Sequence, residues 1–335
     1  MPPISNSTIA WSRAVRWAGG APRVRAFRAA WLIAAFLAAL EMLHDVGVID
    51  GGRAFFEDWV DDIVLVSAAG LCLAAAAGAG QARRASLAFG AGLACWAAGD
   101  VWWTVFYGGA LDPPFPSFAD ALYLAWYPLT VFGLALLIRR SVASFELDRW
   151  MDGIAMMLIV LTPCAALFLA PAAEESGLGT LGTTVVLSYP ILDALVIGGV
   201  VGVYGLLAWR VDRAWLLLGL GCGLMAMGDG LSAVQETRAS AVGASFDFTS
   251  TIGALLIALA VWLSVDVRTT NSEAFGWRAI ALPLAAQALA AAIQVYGFFG
   301  HLGETERVVT LVVLLIAMVQ IVVSRPRAPA RGPPG

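Results

Sequence analysis

Apolar runs of spanning length recur along this chain, and that recurrence leaves few folds open to it. Ten stretches have the roughly 17 to 25 residues a helix needs to cross a bilayer. They cover approximately 27–44, 60–80, 85–107, 118–138, 151–170, 183–208, 214–235, 247–265, 279–299 and 308–323. The loops between them are too short to fold on their own. With 60% hydrophobic and 13% charged residues over 335 positions and a mean hydropathy of +0.81, a water-soluble domain of this size is excluded. The expected fold is all-α: a polytopic integral membrane bundle of about ten transmembrane helices.

The placement of charge tests that count independently. All 20 basic residues are arginine. If the N-terminus lies inside, every arginine except Arg53, Arg238 and Arg307 falls in a cytoplasmic segment, which is the bias the positive-inside rule describes. Adding or removing one helix would scramble the separation, so the expected topology has both termini inside. Residues 1–26 read as a basic cytoplasmic segment. The apolar run that follows continues through Glu41 and Met42 without a small-residue cleavage site, so it reads as an uncleaved first helix rather than a signal peptide. Residues 27–323 form the transmembrane domain, and 324–335, SRPRAPARGPPG, a disordered cytoplasmic tail. The exclusive use of arginine, with the Ala and Gly excess, points to a GC-rich bacterial genome and so to a bacterial inner membrane.

The most informative stretch runs from Trp96 to Leu137, WAAGDVWWTVFYGGALDPPFPSFADALYLAWYPLTVFGLALL. It reads as a helix, a stiff Pro-rich turn and a second helix. Asp100 sits inside the first apolar run on one stripe with Trp96 and Trp103. Asp120 opens the second, with Tyr123 and Tyr127 following on one face. Ionisable side chains at membrane depth are costly and are read as facing the bundle interior or a wet cavity. An internal echo follows: GLACWAAGD, ending at Asp100, resembles GCGLMAMGD, ending at Asp229, and each aspartate stands at the same distance from an arginine, Arg84 or Arg213. Asp247 matches Asp120. Tyr127-Pro128 is echoed by Tyr189-Pro190, where a proline kink is expected in each helix. The echoed helices run in the same direction, so the repeat is parallel. Asp193 is the most deeply placed acid.

Asp100, Asp120, Asp193, Asp229 and Asp247, with Trp103, Tyr123, Tyr127 and Tyr189, are therefore the candidate ligand-binding residues, lining a small polar cavity on the outer side. The same residues also suit a structural part, as interhelical hydrogen-bond partners, with Asp120 and Asp247 as helix caps. Trp102, Trp103 and Tyr107 fall where an interfacial aromatic belt belongs. His44 and His301, at outer helix ends, read as solvated loop residues. Cys72, Cys95, Cys164 and Cys222 lie in different apolar runs without CxxC spacing and read as buried free thiols. Gln287, Gln294 and Gln320 read as amides joining helices. No HExxH, GxSxG, Walker A or histidine cluster is present, so neither metal, cofactor nor catalytic activity is expected.

WAAGDVWW, PFPSFADALYLAWYPLTVFGL, RWMDG, SYPILDAL and WLLLGLGCGLMAMGD together carry a resemblance. Over about residues 85 to 265 the chain resembles the N-terminal multi-helix membrane regions that precede GGDEF and EAL domains in bacterial cyclic-di-GMP synthases and hydrolases. That resemblance implies an input module whose helices feed a cytoplasmic output. No GGDEF or EAL signature follows the last apolar run, so it does not imply catalysis. The expected function is a membrane sensory or regulatory module, with the lipid bilayer and either a separate cytoplasmic output protein or a second copy as partners, and no nucleic acid. A secondary transporter of a small solute is the alternative. A membrane-embedded lipid enzyme would need a nucleophile or metal constellation that the sequence lacks.

Overall fold

The computed structural model describes residues 22–52, 54–78, 82–108, 110, 113–141, 179–206, 211–238 and 247–264. Among them the chain is all-helical: α1 (Pro22–Asp45), a π-helix (Ala54–Val60), α2 (Asp61–Ala76), α3 (Arg83–Tyr107), α4 (Phe118–Ser141), α5 (Gly179–Leu206), α6 (Arg213–Arg238) and α7 (Phe248–Ser264). Four helices are long and apolar enough to cross a membrane: Pro22–Asp45, Asp58–Ala76, Phe118–Arg140 and Thr180–Tyr204. Phe248–Ser264 is a shorter apolar helix. α3 and α6 have 25 and 26 residues, a spanning length interrupted by Asp100 and Asp229. The expected segments 151–170, 279–299 and 308–323 lie outside the described residues, as do residues 1–21, the tail, Cys164, His301, Gln287, Gln294 and Gln320.

Seven expected segments match helices to within a few residues, with one difference of type. The start of the 60–80 segment is preceded by a π-helical turn that runs straight into α2, so the N-cap Val60 is itself helical and offers no side-chain cap. Positive φ at Gly47, Gly51 and Gly52 lets the chain reverse between α1 and that turn. Pro128 and Pro190 stand inside α4 and α5, and both helices continue through them.

Successive helices pack antiparallel from α1 to α4 and again from α5 to α7, while α4 and α5 run parallel, with Asp120 beside Tyr189 and Tyr127 beside Asp193. Glycine sets how closely the antiparallel pairs approach. A Cβ on Gly99 of α3 would come 2.6 Å from the Tyr123 ring of α4, and one on Gly221 of α6 would come 2.7 Å from the Gly253 carbonyl oxygen of α7. Among the described helices, α7 touches α6, α1, α2 and α3. Trp31 Nε1 donates to the Leu255 carbonyl at 3.1 Å, and Phe27 stacks on Trp262 at 3.8 Å, which docks α1 along α7. The start of α1 meets the end of α2 through Arg23 and the Ala74 carbonyl, and the ends of α4 and α7 meet through Arg140 Nη1 and the Ser264 carbonyl at 3.3 Å.

The direction in which each helix runs sorts charge along the bundle. Arg23, Arg25, Arg28, Arg83, Arg84, Arg139, Arg140 and Arg213 stand at one end. Glu41, Asp45, Asp61, Asp62, Asp100, Asp120, Asp229 and Asp247 stand toward the other. Between the ends the outward surface is apolar: Leu32, Ile33, Phe36, Val66, Leu73, Val131, Phe132, Leu216 and Leu220 are exposed. So much outward leucine, valine and phenylalanine is compatible with a surface that meets acyl chains. Some hydroxyls on this scaffold are satisfied within their own helices, as where Ser188 donates to the Thr184 carbonyl at 2.7 Å and Ser86 to that of Ala82 at 3.2 Å.

Candidate functional site

The acidic end is wired by tyrosine. Tyr123 and Tyr127, one turn apart on α4, face different partners. Gly99 lets α4 approach α3, and the Tyr123 hydroxyl donates to Asp100 Oδ1 at 2.7 Å. Tyr127, almost wholly buried, reaches the other way. Its hydroxyl lies 3.0 Å from Asp193 Oδ1 on α5 and 3.0 Å from Asp229 Oδ2 on α6. Asp193 and Asp229 also meet each other. A hydroxyl has one hydrogen to give, so it serves the two carboxyls in turn, and both contacts are hydrogen bonds at once only when a carboxyl brings its own proton. The arrangement therefore couples three helices through one exchangeable hydrogen.

Asp120 does two jobs. Its Oδ2 accepts from the Ser117 backbone N–H at 2.6 Å and the Ser117 hydroxyl at 3.0 Å, while Ala119 N–H donates to Ser117 Oγ at 3.2 Å. This is a variant of the capping box, with Ala119 in place of Asp120 as donor to Ser117 Oγ, and it starts α4 after the Pro-rich turn. The other carboxylate oxygen accepts from the Tyr189 hydroxyl of α5 at 2.9 Å. Tyr189 thus serves Asp120 rather than Asp193, its neighbour one turn along the same helix. Asp247 opens α7, its carbonyl taking the N–H groups of Ser250 and Thr251, and the next residue, Phe248, donates its N–H to Asp45 Oδ2 at 3.5 Å.

Aromatic rings wall these contacts. Trp96 lies 5.1 Å from Tyr123 and 5.7 Å from Trp126, and Tyr127 lies 4.9 Å from Trp126 and 6.5 Å from Tyr189. The indole N–H of Trp126 and the hydroxyl of Thr130 are buried beside them without a hydrogen-bond partner.

Two expectations are corrected. Trp103 does not join Asp100 on the inner stripe: it is exposed and packs edge-on to Tyr107 of its own helix. The wall opposite that last turn, Phe118, is taken by Trp102. His44 is not a solvated loop residue: it lies in the last turn of α1, stacked 4.8 Å from Phe56, with Nδ1 3.4 Å from Asp45 Oδ1. Of the carboxylates expected to line a polar cavity, Asp100, Asp120, Asp193 and Asp229 are each met by a tyrosine hydroxyl from a neighbouring helix. A small cavity lies at the arginine end, between Leu137, Arg140, Trp215, Leu218, Val261 and Ser264.

Sequence reasoning passed over Glu41, Asp61 and Asp62, which are buried at the acidic end. Their signal was present, an acid inside the first apolar run and two opening the second, but acids near a helix end read as interfacial. Cys72 and Cys222 are buried free thiols and Cys95 is half-buried. Among the described residues no group of three His, Cys, Asp or Glu is placed to hold a metal ion. No family model, curated protein or solved structure matches the chain.

Proposed function

We propose that the chain is a bacterial inner-membrane protein of about ten spans with both termini cytoplasmic, acting as a sensory or regulatory module. The observation that carries the reading is the Tyr127 junction, where one hydroxyl serves carboxyls on two other helices. Polar contacts of this kind inside an apolar bundle are scarce and set helix register. A proton, ligand or lipid change at Asp193 and Asp229 alters which carboxyl holds the hydroxyl and so shifts α5 against α6. Those helices end and begin at the arginine side, where Tyr204 of α5 donates to the Trp215 carbonyl of α6 at 2.6 Å. A cytoplasmic output protein, or a second copy of the chain, reads the shift there. The resemblance to membrane input regions of cyclic-di-GMP proteins supports the same reading.

The test is crosslinking in native membranes followed by capture on a C-terminal tag and mass spectrometry. Recovery of one signalling output protein, reduced by Asp193→Asn or Asp229→Asn, is the expected result. Recovery of only lipid and unpartnered chain in both forms overturns the module reading. The alternative, secondary transport, is favoured by one observation: the acids lie within helices rather than in loops, where substrate and ion pathways run. Proton-coupled uptake into vesicles, abolished by Asp193→Asn, would select it.

A further inference from the structure

The described helices after α1 divide into two successive triples, α2–α3–α4 and α5–α6–α7, whose packing matches position by position. Gly90 of α3 abuts Leu73 of α2, and Gly219 of α6 abuts Tyr204 of α5. Gly92 faces Trp126 and Thr130 of α4, and Gly221 faces Gly253 and Ile257 of α7. Gly99 faces Tyr123, and Gly228 faces Ser250. In this common register Asp62 corresponds to Asp193, Asp100 to Asp229, Ala254 to Tyr127 and Asp58 to Tyr189. The triples close on each other at two junctions, α4 against α5 and α7 against α2. The sequence echo is thus the visible part of a three-helix duplication closed by approximate two-fold symmetry.

The two junctions carry the same acids but not the same donors. At the α4–α5 junction, Tyr127 serves Asp193 and Asp229, and Tyr189 serves Asp120. At the α7–α2 junction the buried Ala254 stands in place of Tyr127 and the acid Asp58 in place of Tyr189, while α1 adds Glu41. Glu41, Asp61 and Asp62 are 0%, 8% and 4% exposed. Glu41 Oε2 and Asp61 Oδ1 have no hydrogen-bond partner, and the carboxyl oxygens of Asp62 meet the Thr104 side chain of α3 without a well-formed hydrogen bond. Glu41 Oε1 has a single long contact, 3.4 Å, from the Thr251 hydroxyl. Asp61 lies within electrostatic reach of Asp100, Glu41, Asp247 and Asp62, and Asp62 of Asp58. Buried carboxylates with unpartnered oxygens on α1 and α2, with Asp100 of α3 close by, call for positive charge between them. The π-helix that ends at Val60 re-aims the chain into this cluster, a placement typical of functional sites.

We propose that Glu41, Asp61, Asp62 and Asp100 form a binding site for a small monovalent cation, entering from the acidic end. No three side chains there are spaced to grip a metal ion by themselves, so the ion's shell is completed by backbone carbonyls or water, which suits a weakly held monovalent ion and not a tightly caged divalent one. The site does not depend on the signalling reading, since it uses the junction that Tyr127 leaves alone.

The test uses the full chain in lipid nanodiscs, with thermal unfolding followed in NaCl, KCl or NH4Cl against N-methylglucamine chloride at fixed pH and ionic strength. The expected result is a saturable rise in midpoint with one of the three small ions. That rise disappears in Asp62→Asn and in Glu41→Gln and persists in Asp193→Asn. If Asp62→Asn does not fold, Asp61→Asn together with equilibrium dialysis of the radioactive ion gives the same decision. Equal midpoints in all four salts overturn the proposal, as does a shift that survives both Asp61→Asn and Asp62→Asn. A response to pH alone overturns it too, because protons then neutralise the cluster.

Discussion

The hydroxyl of Tyr127 donates to Asp193 Oδ1 across 3.0 Å, tying α4 to α5 inside the bundle, and the same oxygen stands 3.0 Å from Asp229 on α6. Removing it leaves two buried carboxyls facing each other without the donor. Tyr127→Phe keeps the ring against Trp126 and deletes only the hydroxyl. It is expected to destabilise the protein by about 1–3 kcal/mol, the cost of a buried acceptor left unmade. Asp193→Asn in that background is expected to recover part of the loss, because an amide can donate to Asp229. Thermal unfolding of the four forms in nanodiscs gives the coupling directly. Strict additivity would mean that the hydroxyl and the acid act independently.

Close helix approach makes a second, sharper prediction. A Cβ on Gly221 would stand 2.7 Å from the Gly253 carbonyl oxygen, a backbone atom that cannot swing aside, whereas one on Gly223 of the same helix meets nothing within 4 Å. Gly221→Ala is expected to cost about 1–3 kcal/mol through overpacking. Gly223→Ala is expected to be neutral or to stabilise α6 by up to about 1 kcal/mol through helix propensity. Unfolding midpoints of the pair check this, and a Gly221→Ala variant as stable as Gly223→Ala would contradict the α6–α7 packing.

These contacts explain which parts of the molecule were legible in the sequence. Apolar runs bounded by Arg83, Phe118, Arg213 and Phe248 gave helices to within a few residues, because hydrophobic length and turn residues act locally. Asp100, Tyr123, Tyr127, Asp193 and Asp229 stood out because acids and hydroxyls in apolar helices are rare. Their pairing was not legible. Tyr189 lies one turn from Asp193, yet it serves Asp120, a choice set by how α4 meets α5. Trp103 lies on the stripe of Asp100, yet it is exposed and packs on Tyr107, while its neighbour Trp102 is the one that meets Phe118. Glu41, Asp61 and Asp62 were hidden for a similar reason: whether an acid near a helix end is solvated depends on α1 and α7 closing over it.

The start of α4 rests on Ser117, whose backbone N–H and hydroxyl donate to Asp120 and whose Oγ accepts from the Ala119 N–H. Ser117→Ala is expected to destabilise by about 1 kcal/mol, the usual worth of an N-cap side chain. It should also speed amide exchange in the first turn, at Ala119 and Asp120, and leave the last turns of α4 unchanged. Tyr189→Phe removes a different contact to the same carboxylate, so it should loosen α5 against α4 without fraying that first turn. Hydrogen exchange resolved by residue separates the two effects. Equal protection of Ala119 in wild type and Ser117→Ala would rule out the cap.

The sorting of charge along the bundle fixes what labelling should find. Val48 is exposed beyond the acidic end of α1, and Ala77 is exposed at the arginine end of α2. With arginine ends cytoplasmic, a chain with its native cysteines replaced by alanine and carrying Val48→Cys should react in intact cells with a membrane-impermeant maleimide. One carrying Ala77→Cys should react only after the membrane is opened. The reverse pattern would invert the orientation. Labelling of both thiols in intact cells would mean that α2 does not cross the bilayer, since the two sites stand at opposite ends of the α1–α2 hairpin and only a membrane between them can separate their reactivity.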